Sequence, residues 1–151
     1  MEYEIDGIAR QGLFVAYART TADPIEEEQG PGLGFIAEFD LDGRHLRTLG
    51  HTRRLNAPWG MVAAAEDFGP FSKRLIVGNF GDGTLVAFGL KSGRQRGYLR
   101  GRDRQAIQIN CLWGLAFGNG ASLGRANFLY FTAGPNGEAD GLFGSLHFVD
   151  E

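Results

Sequence analysis

The chain has 151 residues, 43% of them hydrophobic and 22% charged, which is the composition of one soluble globular domain. A formal net charge of -3 argues against nucleic-acid binding, which requires a basic field. Arginines do cluster at 93–105, but we interpret that stretch as a solvated outer hairpin. No apolar run could span a membrane, and the acidic start "MEYEIDGIAR" is no signal peptide, so we expect no membrane contact and a cytoplasmic location.

Glycine and phenylalanine are unusually frequent, with 24 and 12 copies, and together they indicate short strands joined by tight turns. The candidate strands are short runs rich in Val, Leu, Phe and Tyr. In chain order they occupy residues 3–9, 12–18, 34–43, 44–50, 58–66, 73–80, 83–90, 95–101, 112–120, 127–134 and 144–151. No window shows a sustained helical period, so the sequence predicts an all-β fold.

Two stretches of the chain resemble each other and share three of six residues. "LNAPWG" at 55–60 and "INCLWG" at 109–114 put Trp59 and Trp113 54 residues apart, and Leu75 and Leu129 share that spacing. A weaker copy precedes them, with residues 3–9 in the place of the tryptophan strand. A unit of about 50 residues with up to four strands is typical of a β-propeller blade. We therefore predict about three four-stranded blades, at residues 1–50, 51–105 and 106–151.

In a propeller the first strand of each blade lines the axis, where glycine permits close backbone approach. We expect Trp59 and Trp113 to be buried wedges between neighbouring blades. The turns "DLDG" (40–43) and "LKSG" (90–93) each end in a glycine that we expect to adopt positive φ. "DLDG" opens like a calcium loop, but the required acidic positions do not follow, so we interpret it as a turn.

Several long strings closely resemble a family of uncharacterised bacterial proteins: "LNAPWG", "FGPFSKRLIVGNFGDGTLVAF", "LWGLAFGNG" and "LYFTAGPNGEADGLFGSL". The resemblance implies an NHL-like six-bladed β-propeller, of which this chain matches the C-terminal half. Members of the family are often exported and carry a C-terminal sorting signal. If the chain is a fragment of such a protein, an extracytoplasmic location replaces the cytoplasmic one.

Three blades cannot close a ring, because the open ends would expose apolar faces and strand edges. We expect two copies to close a six-bladed ring by two-fold symmetry. A separately encoded N-terminal half is the other expected partner, and a compact three-blade monomer is the alternative. The last strand also lacks a fourth neighbour, which a partner strand or the "MEYEI" segment of another copy would supply.

In propellers, ligands usually bind where the loops between second and third strands surround the axis. Here those loops are residues 19–32, 78–83 and 132–141. All three loops carry acidic or amide side chains, the first of which is Asp23 and the last Asp140. The candidate ligand-binding residues are Asn56, Trp59, Asn79, Asp82, Asn110, Trp113 and Asn136. Oxygen atoms of Asn56, Asn110, Asp82 and Asp140 would suit Ca²⁺. The same residue types are also the ordinary constituents of tight turns.

Two functions remain open. The first is a non-catalytic propeller that binds a small molecule, glycan or protein at its loop face. The second is a metal-dependent hydrolase similar to the propeller lactonases of the gluconolactonase type, which use a comparable oxygen cage. The chain has no nucleophile elbow, phosphate-binding loop or zinc-protease motif, which favours the first function.

Overall fold

The computed structural model describes residues 1–5, 7–22, 26–49 and 53–149. These residues form short strands and a 3-10 turn at Gly69–Phe71, which confirms the all-β prediction. The strands are β1 (Glu2–Ile5), β2 (Ile8–Gln11), β3 (Leu13–Tyr17), β4 (Phe35–Phe39), β5 (His45–Leu49), β6 (Pro58–Ala63), β7 (Arg74–Asn79), β8 (Leu85–Gly89), β9 (Gln95–Tyr98), β10 (Leu112–Phe117), β11 (Leu129–Ala133) and β12 (Leu142–Leu146). Within these ranges, no helix has the length and apolar character needed to cross a membrane.

The strands form four small antiparallel sheets. A hairpin pairs β1 with β2, the first sheet has the order β3-β4-β5, the central sheet β6-β7-β8-β9 and the third sheet β10-β11-β12. In the described part of the chain, the central and third sheets have the four and three strands that we counted in their units, whereas the first sheet has three strands instead of four. The larger sheets lie within residues 1–50, 51–105 and 106–151, and their identity as propeller blades stays a prediction.

Two strand predictions were wrong in detail. Residues 3–9 do not supply an inner strand to the first sheet, because Gly7, at φ +76°, lies in a tight turn that folds β2 back onto β1. The last strand begins at Leu142 and ends at Leu146, earlier than the predicted 144–151. Asp150 and Glu151 lie outside the described residues.

The sequence repeat is also a repeat of strand register. Met61 pairs with Val77 in the central sheet, and Leu115 pairs with Phe131 at positions 54 residues later in the third sheet. Both β6 and β10 contain a bulge, the first after Pro58 and the second after Leu112. The predicted alignment of the two tryptophan segments is therefore confirmed at the level of individual residue pairs.

The central sheet is buried on both faces. Leu75 and Val77 pack with Phe88 and with Ile36 and Leu49 of the first sheet. The alternate side chains point the other way, and their cluster with the third sheet contains Ile76, Leu85, Ala87, Leu112, Leu129 and Phe131. Burial on both faces explains why β7 is a nearly continuous apolar run rather than an alternating one.

The glycine expectations are confirmed at three positions. A Cβ at Gly60 would lie 2.3 Å from the backbone oxygen of Trp113, so β6 and β10 approach more closely than a side chain would allow. Gly43 and Gly93 have φ values of +80° and +64° in their turns. Asp40 Oδ1 accepts hydrogen bonds from the turn's own backbone N–H groups, which supports the interpretation of "DLDG" as a turn.

A buried carboxylate connects the N-terminal hairpin to the first sheet. Glu38 accepts hydrogen bonds from the Tyr3 hydroxyl at 2.6 Å and from Arg47 Nε at 2.5 Å. Arg47 Nη1 also donates to the backbone oxygen of Lys91 at 2.8 Å, which extends the network to the central sheet. Burial and the hydrogen bond to Glu38 raise the pKa of Tyr3 to about 12.

This raised pKa predicts an alkaline weakening of the hairpin contact. Because the folded chain holds the phenol proton more tightly than the unfolded chain, the stabilisation is complete below pH 10 and is lost as the pH rises through about 12. We expect the Tm of the parent to fall more than that of Tyr3→Phe between these two pH values, as measured by circular dichroism. Equal losses of Tm in the two proteins would contradict the coupling between Tyr3 and Glu38.

Candidate functional site

Most of the predicted site residues lie at one end of the sheets, in the loops that lead into and out of the strands. The segment before β6 contacts the loop after β7 through a hydrogen bond from Phe80 N to Ala57 O at 2.9 Å. The repeat reproduces this contact between Gly134 N and Cys111 O, also at 2.9 Å. Ala57 and Cys111 both have left-handed backbones, with φ values of +47° and +50°. We call this end the loop face.

Asn56 and Asn79 are buried and bonded into the loops. Asn56 Oδ1 accepts a hydrogen bond from Gly30 N at 2.7 Å, and Asn56 N donates to Asn79 Oδ1 at 3.0 Å. Asn79 Nδ2 in turn donates to Arg54 O and to Thr84 Oγ1. The two asparagines thus join the loops of the first and central sheets, and their side-chain oxygens are directed at protein donors.

The remaining predicted oxygen ligands are largely engaged in their own turns. Asp82 Oδ1 accepts from Thr84 N at 3.0 Å and from Thr84 Oγ1 at 2.6 Å. Asn136 Nδ2 donates to Asp140 Oδ2, and both side chains are exposed. Asn110 is exposed beside Cys111, whose thiol lies 3.4 Å from Asn110 Oδ1. Asp23 lies outside the described residues.

The predicted calcium cage consists of two asparagines and two aspartates. Within the described ranges, no three His, Cys, Asp or Glu side chains gather in a group that could hold a metal ion. Asn56 Oδ1 and Asp82 Oδ1 already accept hydrogen bonds from protein donors. The cage of Asn56, Asn110, Asp82 and Asp140 stays a prediction, as does the lactonase-type hydrolase that depends on it.

The two tryptophans are not the buried wedges that we expected. Trp59 is 54% exposed and packs against Phe80 with a centroid separation of 6.0 Å. Trp113 is half-buried, donates its Nε1 hydrogen to Glu138 Oε1 at 2.8 Å and covers Gly134, where a Cβ would come within 2.2 Å of the indole ring. Both rings therefore belong to the loop face.

The bulges in β6 and β10 explain this difference. A bulge interrupts the strict alternation of side chains and changes the direction in which a residue points. Trp59 and Trp113 each follow the first residue of a bulged segment, between Pro58 and Met61 and between Leu112 and Leu115. Aliphatic and phenylalanine side chains fill the space between the sheets instead. The glycine after each tryptophan was the sequence signal for an irregular strand.

Comparison with known proteins finds similarity to proteins of Acanthamoeba polyphaga mimivirus. One uncharacterised protein of this virus is 34% identical over 135 residues, which are 89% of the chain and 32% of the relative. A second is 31% identical over 149 residues, or 97% of the chain and 38% of the relative. A third is 33% identical over 89 residues, or 57% of the chain and 16% of the relative.

No family model matches the chain, and no solved structure matches it significantly. The similarity therefore carries no known activity. The chain spans about a third of the length of the first two viral relatives. In sum, the chain is an all-β protein that is similar, over most of its length, to uncharacterised mimivirus proteins.

Proposed function

We propose that the chain is half of an NHL-like six-bladed β-propeller and that two copies close the ring. In this proposal the closed ring is a non-catalytic binding protein. Its ligand, a small molecule, glycan or protein, binds over the axis at the loop face, where Trp59 and Trp113 offer aromatic surface. The family resemblance of the tryptophan strings supports this assignment.

The observation that carries the proposal is the exposure of apolar residues on the outer faces of the two terminal sheets. In the sequence alignment of the repeats, Leu13 and Val15 of β3 correspond to Leu75 and Val77 of β7. The β7 residues are completely buried, whereas Leu13 and Val15 are 45% and 37% exposed. The outer face of the first sheet thus has the composition of an internal face without the sheet that would cover it.

The third sheet has a corresponding outer face. Ile76 of β7 is buried against the third sheet, and its counterpart Tyr130 points away from the central sheet. Tyr130 stacks on Phe143 at 5.8 Å, and Phe143 is 69% exposed. Exposed aromatic residues in a contiguous group commonly mark an interaction surface.

The outer face of the first sheet and the outer face of the third sheet correspond to the two opposite faces of the central sheet. Within the chain, such opposite faces already pack against each other at two sheet–sheet contacts. Two copies related by a two-fold axis would form two further contacts of this kind, which leaves neither outer face exposed. Symmetric closure would therefore repeat a packing geometry that the chain uses internally.

The proposal predicts a dimer in solution. Size-exclusion chromatography with light scattering is expected to give twice the chain mass of 16.4 kDa at micromolar concentration. Val15→Lys and Phe143→Lys are each expected to give the mass of one chain, because a lysine would place a charge within an apolar contact. Leu41→Lys, at a residue that is 61% exposed in the β4–β5 turn, is the matched control and should remain dimeric. A monomeric parent chain would overturn closure by a second copy.

A further inference from the structure

The two tryptophans of the loop face occupy equivalent positions of the repeat, but their surroundings differ. Trp113 is half-buried and donates its Nε1 hydrogen to Glu138 Oε1 at 2.8 Å. Trp59 is 54% exposed, and among the residues that the structure describes no protein acceptor bonds to its Nε1 hydrogen. Trp59 therefore presents both aromatic surface and a hydrogen-bond donor to a ligand.

The backbone on either side of Trp59 is held in place. Ala57, with its left-handed φ of +47°, accepts a hydrogen bond from Phe80 N at 2.9 Å. Pro58 lies against Gly34, where a Cβ would come within 2.4 Å of Pro58 Cδ. The bulge of β6 then directs the indole out of the sheet, a use that bulges often have beside binding sites. An aromatic side chain mounted in this way loses little conformational freedom when a ligand binds.

The segments around Trp59 are polar but nearly free of charge. Backbone hydrogen bonds and close contacts bring together four segments of the loop face: residues 30–34, 55–60, 78–84 and 108–114. Their polar side chains are those of Asn, Thr and Gln, and their single charged residue is Asp82. Arg54, which precedes the second segment, lies over the ring of Tyr98 at 4.9 Å. These segments thus favour a neutral, polar ligand over an anion or a cation.

Asn110 supplies an amide group at the same face. Its side chain is exposed, and its Oδ1 lies 3.4 Å from the thiol of Cys111. In the part of the chain that the structure describes, Asn110 Nδ2 donates to no protein acceptor. The equivalent residue of the preceding repeat, Asn56, is buried and accepts a hydrogen bond from Gly30 N at 2.7 Å. Asn110, unlike Asn56, can therefore both donate to and accept from the hydroxyl groups of a ligand.

We propose that the loop face binds a neutral saccharide, one pyranose ring of which stacks on Trp59. This ligand class rests on the proposed function, whose ligand it specifies. A pyranose with equatorial hydroxyl groups, as in glucose, presents axial C–H bonds on its faces, and their partial positive charge complements the negative face of the indole. A sugar oxygen accepts the Nε1 hydrogen of Trp59, and the amide of Asn110 bonds to further hydroxyl groups.

The probes are cellotetraose and chitotetraose, whose pyranose rings have equatorial hydroxyl or acetamido groups. The chain has two tryptophans, so Trp113→Phe leaves Trp59 as the sole indole, and its fluorescence reports directly on stacking. We expect at least one probe to shift this emission to shorter wavelength in a saturable way, because stacking removes the indole from water. Sorbitol, which has hydroxyl groups but no ring, should give no shift. Isothermal titration calorimetry of the parent chain measures the same binding without any substitution.

The protein variants locate the site. Trp59→Ala should bind the better probe at least about tenfold more weakly in calorimetry, as truncation of a central tryptophan commonly does. Trp59→Phe, which keeps a ring but lacks the N–H donor, should lie between Trp59→Ala and the parent. Leu123→Ala is the matched control, at a residue that is 67% exposed in the β10–β11 connection, at the opposite end of the sheets, and should bind as the parent does.

Two results would overturn the proposal: no saturable binding of either probe, or equal affinity of Trp59→Ala and the parent. If the emission of Trp59 responds to tetramethylammonium or to a heparin hexasaccharide but to neither probe, the ligand is an ion of that charge and the proposal is wrong. Light scattering keeps this test apart from that of the ring. A dimeric parent that binds neither probe overturns the saccharide alone, whereas a monomeric parent overturns closure by a second copy whatever the titration gives.

Discussion

Truncation of Phe88 to alanine is expected to lower the free energy of unfolding by about 3–5 kcal/mol, the usual cost of removing a buried aromatic side chain. Phe88 is completely buried between the first and central sheets and is one of the largest fully buried side chains described. Its neighbours include Ile36 and Leu75, which lie on strands of different sheets and cannot easily close the resulting cavity. Since a domain of this size is stable by only about 5–15 kcal/mol, this loss is a large fraction of the total stability.

Trp59→Ala is the comparison that makes this result informative. The sequence predicted that this tryptophan is a buried wedge, whereas Trp59 is 54% exposed and makes its aromatic contact with Phe80. We expect a loss of less than about 1 kcal/mol. Urea unfolding followed by circular dichroism measures both variants. If Trp59→Ala cost as much as Phe88→Ala, the indole would have to be buried in solution, in conflict with its place on the loop face.

Gly60→Ala is expected to cost about 3 kcal/mol, at the upper end of the range for overpacking. The added methyl group would lie 2.3 Å from Trp113 O and 3.2 Å from Leu115 N, and both atoms belong to the backbone of β10. Relief of this clash requires the central and third sheets to separate. The cluster of Ile76, Leu112 and Leu129 between these sheets would then lose contact.

Gly114→Ala is the matched control, because Gly114 occupies the same position of the repeat as Gly60. Its nearest obstacle is Thr132 Oγ1 at 2.9 Å, an atom of a side chain that can rotate. We expect a loss of about 1 kcal/mol, chiefly from the hydrogen bond between Gly114 N and Thr132 Oγ1. Thermal unfolding compares the two variants. Equal losses would show that the close approach of β6 and β10 does not limit residue choice at Gly60.

The local structure could be predicted well from the residues. The apolar runs at 73–80 and 83–90 contain β7 and β8, and the glycines at 43 and 93 adopt the predicted positive φ. The spacing of 54 residues predicted which strands are equivalent, and the pairing of Leu115 with Phe131 follows that of Met61 with Val77. These features depend on side-chain alternation and turn chemistry, which act within a few residues of the chain.

Three other features were predicted less well from the residues. Residues 3–9 have the apolar pattern of one strand, but Gly7 divides them between two. Trp59 has the residue type of a core side chain, and the bulge in β6 turns it toward the loop face. Asn56 and Asp82 have the oxygen atoms of metal ligands, and nearby N–H and O–H groups use those atoms.

The sequence by itself determined that the chain is an all-β protein with repeated strands, because period, glycine placement and repeat spacing are properties of the linear chain. Only the tertiary structure decided which faces are covered. Leu13 and Leu75 are equivalent in the sequence repeat, yet Leu75 is buried and Leu13 is 45% exposed. The physical reason is that a side chain is buried only where another sheet packs against it. The arrangement of whole sheets decides where that happens, and the residues of one strand do not.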